Sequence, residues 1–173
     1  MCIIVAGFSY HLKDEFFSKV KKDASDNSLM INKENGNYRP HFYCLEDERA
    51  NGLYWVVPIS SKVEKYRKIQ EQKIDRFGKC NTIVIGLFAG NENAFLIQNM
   101  FPITSKYFDH LHTVNNLPIT IHNDVRANIE TYVKEVISIT RAGKRVLFAD
   151  VEHIERLMLE ELLLTFETRH GDL

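Results

Sequence analysis

The chain is short of the residues that mark several common classes of small protein. Three cysteines, Cys2, Cys44 and Cys80, stand far apart and odd in number. They offer neither a disulfide framework nor metal-ligand spacing, and read as reduced thiols in a cytoplasm. No run approaches eighteen apolar residues, so no membrane-spanning helix is expected. The start, MCIIVAGFSYHL, lacks a basic leader and a small-residue cleavage pattern, and reads as a first core strand. No GxGxxG, GxxxxGK[ST] or GxSxG pattern occurs, so dinucleotide, P-loop and nucleophile-elbow chemistry have no signature. Acidic residues are scattered and form no metal-binding cluster. Charge of one sign is not in excess either, with a net charge of −1. That does not mark a nucleic-acid binder, yet a local basic patch would be enough for one.

What is present is an ordinary soluble composition, 45% hydrophobic and 26% charged over 173 residues. This is enough for one domain, residues 1–173, with a substantial core. HFYCLE and LYWVVPI flank Asn51-Gly52, a strong turn signal between apolar runs. A second hairpin spans NTIVIGLFAGNENAFLIQNMFPIT, turning at Gly90-Asn91. KDEFFSKVKKDA predicts a short helix or arm with Phe16, Phe17 and Val20 inward. KVEKYRKIQEQKIDRF predicts a helix with a stripe of Val63, Tyr66, Ile69, Ile74 and Phe77, stopped by Gly78. A short helix is expected over TSKYFDHLHT. Asn123 or Asp124 opens another, with Ile129, Val133, Val136 and Ile137 inward. A last helix begins near Asp150 as a core stripe, and ETRHGDL should fray. SDNSLMINKENGNYRP reads as one long loop. Paired strands followed by helices indicate the α+β class: an antiparallel sheet curled into a small barrel, helices on one side and a helical C-terminal half.

Two stretches concentrate chemistry. In VPISSKVEKYRK, an apolar run ends at Pro58 and meets Ser60, Ser61, Lys62 and Lys65. Ser61 and Glu64 form an S-x-x-E capping box, which is one reading. It leaves Ser60 and the two lysines unexplained, since cations oppose the dipole of a first helical turn. The other reading is an anion site of hydroxyls, ammonium groups and free N–H groups. In NYRPH, Asn37, Tyr38, Arg39 and His41 bring an amide, a phenol, a guanidinium and an imidazole together. These suit phosphate and base contacts, or are a half-buried strand histidine and a surface arginine. Antiparallel pairing of the first hairpin places His41 near Ser60 and Ser61. His110 and His112 lack a third metal ligand.

YRPHFYCLEDERANGLYWVVPISSKVEKY, extending through FPIT to VRANIETYVKEVISITRAGK, resembles the ToxN/AbiQ family of type III toxin–antitoxin endoribonucleases, and within it the CptN branch. The resemblance implies a compact core similar to MazF-type toxins and metal-independent cleavage of cellular single-stranded RNA, without a cofactor. It implies inhibition by a pseudoknot RNA antitoxin, processed from a repeat precursor and held in a cyclic protein–RNA assembly. The family's Thr-Ser pair falls on Ser60 and Ser61, and its catalytic lysine on Lys62, with Lys65 as the substitute, since the intervening proline is missing here. A second family lysine falls on His41, and Tyr38 is the phenol nearest to the family's loop tyrosine.

These residues permit a transesterification in which the 2′-OH attacks its own 3′ phosphate. His41 is the expected acid or base, with an ordinary pKa of about 6.5. Lys62 is expected to stabilise the phosphorane, and Ser60 and Ser61 to bind its oxygens. Arg39 and Tyr38 hold phosphate and base, Asn37 and Tyr38 choose sequence, and Lys65 and Lys68 follow the phosphate chain. The alternative is a noncatalytic RNA-binding regulatory protein using the same basic joint.

Overall fold

The structure is a computed structural model describing the backbone of residues 3–24 and 28–170, with side chains of all these except 22–24 and 169–170. The expectations for Cys2, for residues 25–27 of the loop and for the last three residues lie outside the described residues. The first strand, β1 (Ser9–Leu12), is shorter than its apolar run suggests. Gly7 breaks that run with φ +91, where a Cβ would also collide with the Arg126 guanidinium. Helix α1 (Asp14–Ala24) follows, with Asp14 and Glu15 suiting the positive end of its dipole. Phe16, Phe17 and Val20 are buried, as their spacing predicts.

The polar stretch read as a loop holds a hairpin, β2 (Lys33–Glu34) and β3 (Asn37–Tyr38). Its turn is Asn35-Gly36, with φ 51 and 82, the positive pair that a type I′ turn requires. Glu34 lies opposite Asn37.

Strands β4 (His41–Glu46) and β5 (Leu53–Ser60) form the first expected hairpin, with His41 opposite Pro58. Helix α2 (Val63–Phe77) follows and ends at Gly78, whose φ of 78 is left-handed. Strands β6 (Val84–Phe88) and β7 (Asn91–Phe95) form the second hairpin. It is shorter than expected, because a 3-10 turn at Ile97–Asn99 separates it from β8 (Phe101–Thr104). TSKYFDHLHT is not a helix. One 3-10 turn at Ser105–Tyr107 leads into β9 (Phe108–Leu111), where Phe108 packs edge-on against Tyr10 at 5.1 Å. The small pair β10 (Thr113–Val114) and β11 (Leu117–Pro118) precedes the helices α3 (Asn123–Arg141) and α4 (Val151–His170).

The α+β class holds. Seven antiparallel strands run in the order β6-β7-β5-β4-β1-β9, with β8 also on β5. β5 has two partners on one side: its residues 53–56 pair with β8, and Ile59 and Ser60 pair with β7. β6 and β9 lie at opposite ends of this order. The sheet therefore does not close, which corrects the small barrel.

The core is aromatic, with Trp55, Tyr10, Tyr107, Phe16, Phe42, Phe95 and Phe101 fully buried. Ile129, Val133, Val136 and Ile137 of α3 are all buried. Helix α4 lies along β8. Its Val151, Ile154 and Met158 are buried, whereas Leu163, Leu164 and Phe166 are exposed, so the core stripe covers only its first half. Asp47 joins hairpin to helices: it accepts from Trp55 Nε1 at 2.8 Å and from Arg141 at 2.6 Å. Of the five stripe positions on α2, only Tyr66 is buried, against Ile83, Ala94 and Leu96. Ile74 and Phe77 are exposed, since α2 meets the sheet at β7 and is otherwise pinned by a polar residue. Lys73 donates to Thr82 Oγ1 at 2.7 Å and Gln98 Oε1 at 2.8 Å. Among the described residues, no helix is long and apolar enough to cross a membrane.

Candidate functional site

The joint between β5 and α2 brings together most of the residues singled out above, around a residue that was not. Glu34 projects into the joint from the β2–β3 hairpin. Its Oε1 accepts from the Ser60 hydroxyl at 2.8 Å. Its Oε2 accepts from the Ser61 backbone N–H at 3.3 Å and from Arg39 Nη1 at 3.4 Å. Lys62 Nζ stands 4.0 Å from Oε1. Hydroxyl, N–H, guanidinium and ammonium thus converge on one point, the donor set an anion site demands. The protein's own carboxylate occupies it.

Each member is held by its element. Ser60 ends β5, is buried, and its Oγ also accepts the Lys62 backbone N–H at 3.2 Å. Arg39 is only 4% exposed. It donates to the Ile59 carbonyl at 2.9 Å and through Nε to the Ile31 carbonyl at 3.3 Å, which locks the hairpin against β5. Lys62 is about half exposed and is the N-cap residue of α2, without a side-chain cap bond. The capping box at Ser61 is therefore not formed. Ser61 is exposed, and Glu64 pairs loosely with Arg67 at 3.9 Å. Ser60, not Ser61, satisfies a backbone N–H near the helix start.

A hollow of about 190 Å3 opens beside this cluster, lined by Glu34, Asn37, Tyr38, Arg39, Ser61 and Asn93 among others. Tyr38 is exposed and anchored, donating to Asp14 Oδ2 at 2.8 Å. A bond from Asn32 Nδ2 and then this one hold the Asp14 carboxyl below its usual range. Lys65 and Lys68 are exposed on α2 and do not line the hollow.

His41 is the main correction. The pairing with β5 is as expected, but the ring turns into the core, 0% exposed. It packs against Phe101 at 5.6 Å and Phe17 at 6.0 Å. Nδ1 lies 3.1 Å from the Arg39 carbonyl, an acceptor, so Nδ1 carries the proton and donates. Nε2 is buried without a partner. Burial, and then the Arg39 charge, push the imidazole down to about 3, against a smaller upward pull from the Arg39 carbonyl. A group so enclosed and so weakly basic does not suit proton exchange with a bound phosphodiester.

Two other places are set aside by their geometry. His11 of β1 comes alongside the pair that lacked a third ligand, its Nε2 2.9 Å from His112 Nδ1 and its ring stacked on His110 at 4.6 Å. Among the described residues, no group of three or more His, Cys, Asp or Glu could hold a metal ion. A larger hollow of about 550 Å3 between α3 and α4 is lined by Lys144, Arg145, Asp150 and Glu152 and contains none of the expected residues.

Sequence reading missed Glu34 and Asn93. The first had a signal: Asn35-Gly36 is a hairpin turn of the kind recognised at Asn51-Gly52. Reading it so would have put Glu34 beside Asn37 at the loop exit.

No family model and no curated protein matches the chain. The fold is shared with a solved structure of ToxN, described in the words "A processed non-coding RNA regulates a bacterial antiviral system". The TM-score is 0.56 at 13% identity, covering 79% of this chain and 88% of the other.

Proposed function

We infer that the chain is the toxin of a type III toxin–antitoxin system, one catalytic unit that cleaves single-stranded RNA without a metal ion. The observation carrying this reading is the convergence of the Ser60 hydroxyl, Ser61 N–H, Arg39 guanidinium and Lys62 ammonium at one point of the β5–α2 joint. The antiviral, RNA-regulated setting of the ToxN neighbour supports the same reading. So do the motif residues that resemble the ToxN/AbiQ family and its CptN branch.

In this reading a scissile phosphate enters the joint from the 190 Å3 hollow. Ser60 and Ser61 bind its non-bridging oxygens, and Lys62 neutralises charge developing on phosphorus. Arg39 keeps the local field positive. Asn37 and Tyr38 lie on the approach and contact bases, a phenol face being a stacking surface for any of them. Lys65 and Lys68 guide the flanking phosphates along α2. The 2′-OH attacks its own 3′ phosphate, giving a 2′,3′-cyclic phosphate and a 5′-OH. The natural inhibitor is a pseudoknot RNA, processed from a repeat precursor and bound in a cyclic assembly, and the biological outcome is phage resistance by abortive infection in the cytoplasm. A noncatalytic RNA-binding regulator is the competing reading, and the burial of His41 is the observation in its favour.

Incubating the protein with single-stranded RNA in EDTA and analysing the product ends tests this. Cyclic phosphate and 5′-OH ends are expected. A strict divalent-ion requirement or 3′-OH ends would contradict the mechanism, and RNA that is bound but left intact would establish the regulator.

A further inference from the structure

With His41 enclosed, the proposed reaction lacks a group to take the 2′ proton, and the joint holds one. We propose that Glu34, at the centre of the Ser60–Ser61–Arg39–Lys62 cluster, is the general base of the RNA cleavage read above. The inference rests on that reading and names a residue in it that the motif resemblance does not supply.

Three observations carry it. The first is chemical. Arg39 and Lys62 have only donors to offer, and the Tyr38 phenol is already committed to Asp14. Glu34 is the carboxylate among the residues lining the hollow. The second is capacity. A carboxylate has about four lone-pair sites, and Glu34 receives three hydrogen bonds: from Ser60, the Ser61 N–H and Arg39. One site is open in the free protein, and when a phosphate takes the Ser60 O–H and the Ser61 N–H their two sites open as well, while Arg39 still holds Glu34, so a ribose 2′-OH can donate there. The third is charge. Two cations and one carboxylate leave one positive charge at the joint, the complement of one phosphodiester. With its side chain 12% exposed and fixed through Arg39 to two backbone carbonyls, Glu34 is also pre-oriented.

The step balances without any outside reagent. The O2′–H bond breaks and its proton passes to Glu34 as O2′ bonds to phosphorus. The P–O5′ bond breaks with its electron pair on O5′, which takes a proton from the Lys62 ammonium. Solvent then removes the proton from Glu34 and returns one to Lys62.

The test uses the full chain, a single-stranded RNA that it cleaves, and the 2′-deoxy analogue, which cannot react. Glu34→Gln keeps the shape and most hydrogen bonds. Cleavage should fall about 10²–10⁴-fold, the usual share of a general base, while the 2′-deoxy analogue binds at least as tightly because a negative charge has gone. Glu34→Ala should recover part of its rate in added formate, a response that a merely structural role would not give. Glu34→Gln cleaving at the wild-type rate or faster would overturn the proposal and make Glu34 a resident anion that substrate displaces. Should both variants fail to fold, the wild-type rate against pH decides. The carboxylate faces Arg39 and Lys62, with the Tyr66 phenol nearby. A rate that falls on acidification is expected, and a rate indifferent to acidification would overturn the assignment. Wild-type protein that never cleaves RNA would end both this proposal and the reading beneath it; cleavage by wild type and Glu34→Gln alike would end this one alone.

Discussion

His41 shows how far one residue's position in sequence can mislead about its chemistry. Its place opposite Pro58 follows from the β4–β5 hairpin, with an irregularity between Tyr43 and Leu45 that shifts the pairing by one residue. The direction of its ring is set instead by Phe17 and Phe101, which arrive from α1 and β8 and carry no local signal. The energetic consequence is a pH dependence. The folded imidazole titrates near 3 and the unfolded one near 6.5. Below pH 6.5 the unfolded chain binds a proton that the native state refuses, so this group's stability is complete above 6.5 and is lost on acidification, by about 1.4 kcal/mol per pH unit down to the native value. His41→Phe keeps an aromatic ring between Phe17 and Phe101. Between pH 7 and 5 it should lose about 2 kcal/mol less stability than wild type, read by urea unfolding. Its RNA cleavage should stay within a few fold of wild type. Abolished cleavage with unchanged stability would return His41 to proton transfer.

At the scale of elements, the strand-to-helix joint separates two serines that look equivalent in sequence. Ser60 is buried and bridges Glu34 to the Lys62 N–H; Ser61 is exposed. Ser60→Ala leaves a carboxylate and an N–H each short of a partner, and should lower stability by about 1–3 kcal/mol. Ser61→Ala should lie within about 0.5 kcal/mol of wild type, as exposed substitutions do. Both should slow cleavage, so melting curves beside rate measurements distinguish them. A stability loss of about 1 kcal/mol in Ser61→Ala would restore the capping box. The hairpins β4–β5 and β6–β7 and the inward face of α3 were legible because turn residues and apolar spacing are local. TSKYFDHLHT was not, since Tyr107 and Phe108 are claimed by a distant core that a helix would not reach. The stripe on α2 looked continuous, but only its first turns meet β7, and spacing does not reveal how long a contact is.

For the whole molecule, a net charge of −1 offers no general attraction for RNA, so binding must come from the local field at the joint. The α+β class was readable from strands preceding helices. The open edges were not, because closure depends on how β5 divides itself between β7 and β8. Ser60, Ser61 and Lys62 were recognisable from residue type and from the motif resemblance, and Arg39 from residue type; their convergence on Glu34 required the fold. The central claim is that this convergence seats a scissile phosphate. A crystal structure with the 2′-deoxy analogue of a cleaved RNA tests it most directly. The account predicts a phosphate within hydrogen-bond reach of the Ser60 hydroxyl, the Ser61 N–H and Lys62, with the sugar C2′ facing Glu34. A phosphate seated instead in the hollow of Lys144 and Arg145, with the joint still closed on Glu34, would contradict it.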